Sequence, residues 1–362
     1  MKTRPDAVAQ IPWGECLVPP STVPAAVAAE ARRRYGMVPG WVPRFAPLPW
    51  LLRAFRNISD APVAYMPMRL FEMAHLVVSR DNSCRYCYGA QRAFMHLLGY
   101  DPREIERLEQ DELIGLAPPE RLALEYARKV SRASPRPGAV ERSALERSGL
   151  SREAVVELTV VAAGTVFPNR VSTLIALPPE RFNSVVEFVT RLMRPLLARH
   201  LARRPHAPEP PPVPNEGVGA AVVKALGDSP TAGLLRGVID EALASPVLPR
   251  RTKLLVLGVI ARALGCRESE RDATAALVAE GMESRDVAES LAHLASPSLD
   301  AREARLLPFA RETVRCEPVE IQARTRAMAA ALELGAEQLL EVVGMAALAN
   351  TLCRASVLVD PC

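Results

Sequence analysis

The sequence predicts an all-α protein built from two similar helical domains in tandem. Three observations carry this. Apolar residues recur three and four positions apart in RLFEMAHLVV, QRAFMHLL and ERLALEYARKV, the period of a helix with one buried face. Alternating apolar and polar runs, the mark of half-buried strands, are scarce. The second half of the chain also repeats the first. MPMRLFEM around Arg69 resembles LPRRTKLL around Arg251. ERLALEYARKVSRASP (Glu120 to Pro135) resembles EARLLPFARETVRCEP (Glu303 to Pro318). ELTVVAAGTVFPNRVSTL (Glu157 to Leu174) resembles EVVGMAALANTLCRASVL (Glu341 to Leu358). The offsets are 182, 183 and 184 residues. A repeat this long reads as a duplicated domain, since solenoid units run to roughly 20–50 residues.

Taken in order, residues 1–32 form an N-terminal extension without the apolar segment of a signal peptide. Residues 33–200 form the first domain. Its MRLFEMAHLVVSR segment reads as a helix with Glu72 and His75 near its start, and Leu70, Phe71, Met73 and Leu76 beside Glu72 favour burial. Asp81, Asn82 and Ser83 break that helix and offer N-cap side chains to the next, whose first turn then holds Cys84 and Cys87. Gly99 closes that helix as a C-cap, Asp101-Pro102 starts another, and Gly281 repeats the stop signal. VVELTVVAA could be a buried strand, but its length and its copy EVVGMAALAN favour a buried helix. Residues 201–217, LARRPHAPEPPPVPNEG, read as a proline-rich linker. Residues 218–362 form the second domain.

The 362-residue chain is 49% hydrophobic, ample for a buried core. Its net charge is only +4, and the 45 basic residues, 41 of them arginine, are scattered. No nucleic-acid partner is therefore expected. The best apolar run, VVELTVVAAGTVF, is too short for a membrane span and contains Glu157, so no membrane association is expected. The setting expected is the cytoplasm. Seven widely spaced cysteines are not a secreted disulfide framework.

The pair Cys84 and Cys87, in DNSCRYCYGAQ, has four possible natures: redox couple, half of a metal site, structural disulfide, or two buried hydrophobes. At a helix N-terminus the free amides and the dipole favour thiolate. Residues three apart share a helix face, so disulfide exchange between them is geometrically natural. A structural zinc site needs four ligands, usually from a second CxxC or an HxxxH; neither occurs, and the five histidines are dispersed. No cofactor or metal is expected. Inert cysteines or a structural bond stay open on these grounds.

Glu72 stands twelve positions before Cys84. The order E-x11-C-x2-C, the downstream LLGYD, the ERLALEYARKV helix, the PNR segment at Asn169-Arg170 and the leading YGMVPGWVPRFAPLPWLLRAF together resemble the alkylhydroperoxidase D-like, or carboxymuconolactone decarboxylase-like, family. The resemblance spans roughly Arg33 to Thr190, and more weakly about Leu234 to Val359. It implies an all-α, oligomeric protein that reduces hydroperoxides at the expense of a thiol or dithiol reductant protein. It also implies roles. Cys87 would attack the peroxide, Cys84 would resolve the sulfenic acid to a disulfide, and Glu72 would accept the thiol proton. The family's histidine four residues after the second cysteine is replaced by Gln91, which cannot shuttle protons. Tyr86 stands where some members carry a second histidine. His75, one turn after Glu72, is the candidate substitute relay.

In the second copy, Cys84 corresponds to Cys266, but Cys87 to Ser269, Gln91 to Ala273 and Glu72 to Leu254. That half is expected to be catalytically dead, with Cys266 a single thiol, and to stand in for a second subunit. Arg170 and Arg354, kept at equivalent positions, are expected to form structural ion pairs. Two functions compete: a thiol-dependent peroxidase, and a redox-sensing or assembly protein of the same fold. Lactone decarboxylation is distant, since no lactone-specific acid–base set is visible.

Overall fold

The computed structural model describes residues 8–59, 61–110, 113–180, 216–227 and 229–359. The linker segment therefore lies almost wholly outside the described residues. Among the described residues every regular element is a helix. The first half carries α1 (Ala25–Tyr35), α2 (Val42–Phe45), α3 (Pro49–Ser59), α4 (Met68–Asp81), α5 (Arg85–Leu98), α6 (Pro102–Glu109), α7 (Pro118–Arg132), α8 (Ala139–Arg147) and α9 (Arg152–Leu174). The second carries α10 (Ala220–Ala225), α11 (Pro230–Ala244), α12 (Arg250–Ala263), α13 (Arg267–Ala279), α14 (Ser284–His293), α15 (Ala301–Glu312), α16 (Pro318–Ala331) and α17 (Ala336–Ala355).

The helix order repeats. Arg250 follows Met68 by 182 residues, Arg267 follows Arg85 by 182, Ala301 follows Pro118 by 183, and Ala336 follows Arg152 by 184. Backbone detail repeats with it: Gly99 and Gly281 have φ of 90° and 93°, and Ala133 and Cys316 have φ of 56° and 55°. VVELTVVAA lies in α9 and is helical.

Helices α9 and α17 run against each other through the middle of one continuous core, with α3, α4, α5 and α7 around the first and α11, α12 and α13 around the second. Arg152–Leu174 and Ala336–Leu358 are long and apolar enough to cross a membrane, contrary to the expectation from uncharged runs. Their apolar windows are 89% and 100% buried within the fold, as in central core helices.

Buried polar groups fix the join between the halves. Arg170 donates to the Val314 carbonyl (3.0 Å), and Arg354 donates to the Ser131 carbonyl (2.6 Å). Val314 lies 183 residues past Ser131, and Arg354 lies 184 past Arg170. The contact is thus reciprocal, as in an isologous interface. The arginines meet carbonyls and amide oxygens rather than the carboxylates expected of them, and Arg354 also binds the Asn350 carbonyl (3.0 Å) and side chain (2.7 Å). Burial, then the nearby Arg170, lowers the Arg354 pKa to about 9.

Equivalent carboxylates at the start of the two central helices do different work. Glu157 accepts three amides, from Ala64 (2.6 Å), Tyr65 (2.9 Å) and Met66 (2.6 Å), and so fixes the chain entering α4. Glu341 pairs with the equally buried Lys253 (3.0 Å) and accepts the Trp50 indole N–H (2.6 Å).

Candidate functional site

Helix α4 ends at a tight reversal. Asn82 is its C-cap and Ser83 has φ of 52°. The Asn82 side chain does not cap α5, as the sequence suggested. Its Nδ2 donates to the Val78 carbonyl (2.9 Å) and the Ser131 hydroxyl (2.8 Å), and its Oδ1 accepts from Arg170 (2.8 Å). Asp81 instead pairs with Arg128 (2.9 Å) and Arg132 (2.8 Å). The cap of α5 is Cys84 itself: its sulfur accepts the Cys87 amide N–H at 3.3 Å. A sulfur in that position meets the free amides and the positive end of the helix dipole.

Cys84 is fully buried, whereas Cys87, one turn on, is partly exposed. Both are free thiols. The Cys87 sulfur lies 3.7 Å from the Ser172 hydroxyl oxygen on α9, within hydrogen-bond reach for sulfur. Burial works against charge on Cys84, but hydrogen bonds from the Cys87 side chain and amide outweigh it and hold its pKa below the ordinary thiol value. Burial, then the adjacent Cys84 sulfur, pushes Cys87 well above that value. The single negative charge this pair carries most readily therefore rests on the inner sulfur, while the outer one is the more accessible.

Glu72 is buried on α4, as its apolar neighbours predicted. Its carboxylate accepts the Gln91 side-chain N–H at 2.5 Å, and the same amide group reaches the Glu72 carbonyl at 3.3 Å. Gln91 thus bridges α5 back to α4. The His75 ring stacks on Phe71, with centroids 4.4 Å apart and planes at 28°. The Tyr86 hydroxyl donates to Glu180 (3.1 Å), and burial followed by Glu180 pushes its pKa well up.

Sequence reasoning missed Ser172 and Glu180 because both arrive through tertiary packing. Ser172 left one trace: the repeat places Ser356 at its counterpart. Cys266 is not the single thiol expected. Cys353 of α17 lies against it in a small buried cluster.

The chain is similar to a solved structure from Ralstonia eutropha described as an alkylhydroperoxidase AhpD core and uncharacterized peroxidase-related protein. The identity is 24%, the match covers 47% of this chain and 91% of that one, and the TM-score is 0.42. It is also similar to an uncharacterized peroxidase-related protein from Silicibacter sp., at 24% identity, 52% and 97% coverage and a TM-score of 0.41. No protein-family model and no curated protein matches it.

Proposed function

We propose that the protein is a thiol-dependent peroxidase whose working groups are Cys84, Cys87 and Glu72. The observation that carries this reading is the pair of free thiols at the start of α5, with Cys84 accepting the Cys87 amide. A buried carboxylate held by Gln91 lies on the adjoining helix.

The resting charge sits on Cys84 and is passed to Cys87 when a proton moves inward between the sulfurs. The Cys87 thiolate attacks the nearer oxygen of a hydroperoxide. An S–O bond forms, the O–O bond breaks, and the alkoxide leaves and takes a proton to become an alcohol. Cys84 then attacks the sulfenic sulfur of Cys87, the disulfide forms, and hydroxide departs with the Cys84 proton as water. The two thiols lose two electrons and the hydroperoxide gains them. A dithiol protein reopens the bond by exchange. Glu72 accepts the proton that the pair gives up in forming the resting thiolate and returns it, directly or through water, to the leaving alkoxide, and Gln91 orients the carboxylate.

The second half supplies a packing surface in place of a second subunit, and we place the protein in the cytoplasm as a homo-oligomer. Burial of Cys84 and the raised Cys87 pKa favour slow chemistry, which also suits a redox sensor of the same site. Peroxide turnover with a dithiol reductant separates the two. A peroxidase cycles, loses all turnover as Cys87→Ser, and gives one turnover at most as Cys84→Ser. A sensor oxidises once and stays oxidised until reduced stoichiometrically. Unchanged turnover in both variants would remove the thiol mechanism.

A further inference from the structure

The second half holds a thiol site of its own. Cys266 is the N-cap residue of α13, as Cys84 is of α5. Its sulfur is hydrogen-bonded to the Ser269 hydroxyl (3.2 Å) and to the Ser356 hydroxyl (3.0 Å). These serines are the repeat counterparts of Cys87 and Ser172, so the frame around the sulfur is kept although its thiol partner at position 269 is gone. A replacement enters from another element. Cys353, on α17, packs with Cys266 and Ala261 in a fully buried cluster. Cys353 stands at the counterpart of Asn169, so the second half carries its second cysteine of the pair on the central helix rather than on α13.

A cation from the first half completes the site. Arg136 donates to the Ser356 hydroxyl (2.5 Å), the Cys353 carbonyl (3.3 Å) and the Gly265 carbonyl (3.2 Å). Two hydroxyls, a second thiol and a nearby guanidinium are more than packing requires of a buried cysteine, which as a small hydrophobe needs no polar partner. Hydrogen bonding from Cys353, opposed by burial and reinforced by Ser269 and Ser356, brings Cys266 to about 5. Burial, then Cys266, pushes Cys353 well above the ordinary thiol value. A charged thiol beside a protonated one is the reactive form of a dithiol.

We propose that Cys266 and Cys353 are a second oxidisable dithiol, which a compact hydroperoxide closes to a disulfide joining the start of α13 to α17. The Cys266 thiolate attacks one oxygen of hydrogen peroxide; an S–O bond forms, the O–O bond breaks, and hydroxide leaves to be protonated to water. Cys353 gives up its proton and its sulfur attacks the Cys266 sulfenic sulfur. The S–S bond forms and the displaced hydroxide takes that proton as a second water. Two thiols are oxidised by two electrons and one peroxide is reduced. Burial of both sulfurs selects a small oxidant over a bulky one, and a dithiol such as dithiothreitol reverses the bond. This site stands independently of the chemistry at Cys84 and Cys87.

The test uses the full chain as Cys84→Ser/Cys87→Ser, reduced, exposed to hydrogen peroxide, then denatured, alkylated and digested without reductant. The expected result is loss of both free thiols and a linked peptide pair joining Cys266 to Cys353, abolished by dithiothreitol. In the same background Cys353→Ala leaves a sulfenic acid at Cys266 that a cyclic 1,3-diketone captures. Two alkylated thiols with no linked pair, or Cys266 bonded to another cysteine, overturn the proposal. Should the double variant fail to fold, the same peptide map of the wild-type chain decides the matter. A Cys266–Cys353 bond joins two distant peptides, whereas a Cys84–Cys87 bond closes within one stretch.

Discussion

Replacing Gly344 with alanine sets two effects of opposite sign against each other. Gly344 lies inside α17, where alanine is worth about 1 kcal/mol of helix stability over glycine. The added methyl, however, meets the first half of the chain. An ideal Cβ there stands 2.6 Å from Trp50 Cη2, 2.9 Å from Trp50 Cζ2 and 3.1 Å from Leu51 Cδ1. The Trp50 ring has little room to yield: it is 3% exposed, and its indole N–H is bound to Glu341 at 2.6 Å. Overpacking of this kind costs about 1–3 kcal/mol. Swinging the indole away would add about 1.5–3 kcal/mol for a lost hydrogen bond to a charged group. Sterics therefore exceed propensity, and Gly344→Ala should lower stability by about 2 kcal/mol. Denaturant midpoints of the two proteins measure this, and tryptophan emission reports whether Trp50 has been displaced. A variant as stable as the parent, or more so, would refute the close seating of α3 on α17.

Three further outcomes follow from the two thiol sites. Glu72→Gln removes the carboxylate that Gln91 holds and should raise the apparent pKa of the Cys84–Cys87 pair, read from the pH dependence of alkylation at Cys87; an unmoved curve would mean that Glu72 is no base. Gln91→His introduces a group that titrates near neutrality and should raise peroxide turnover, by at most the factor of about 10²–10⁴ typical of a general acid–base; unchanged or slower turnover would count against a proton relay at this position. For Cys266, about 5 in the folded protein against an ordinary 9.0, the folded state has released a proton that the unfolded state still binds anywhere between those values. Stability therefore rises with pH across that window, by up to about 1.4 kcal/mol per unit, and the contribution vanishes as pH falls through about 5. Denaturant midpoints of the reduced wild type and Cys266→Ser should diverge from about pH 5 to about pH 8; parallel curves would contradict the thiolate.

Helix period and repeat offset were legible because both are local or periodic properties. The burial of Glu72 was legible from Leu70, Phe71 and Leu76 beside it. The cap of α5 was misread because Asp, Asn and Ser are the usual N-cap residues, and a thiol is seldom one. Asn82 was drawn away by Arg170 and Ser131, partners 88 and 49 residues distant in sequence. The same holds for Cys353: a close spacing flags a pair such as Cys84 and Cys87, but not two cysteines brought together by α13 and α17. The arginines misled differently. Arg170 and Arg354 were assigned carboxylate partners by charge, whereas the interface between the halves offers them the ends of α7 and α15, where helical carbonyls lack partners.

The central claim is that Cys84 and Cys87 work as one redox unit. The most direct measurement adds one equivalent of hydroperoxide to the fully reduced protein, quenches with an alkylating agent, and follows alcohol formation and disulfide position together. A single redox unit releases one alcohol for each disulfide formed, with the Cys84–Cys87 bond the first to appear. Peroxide consumed while Cys84 and Cys87 both remain alkylatable, or a first bond formed elsewhere, would contradict it.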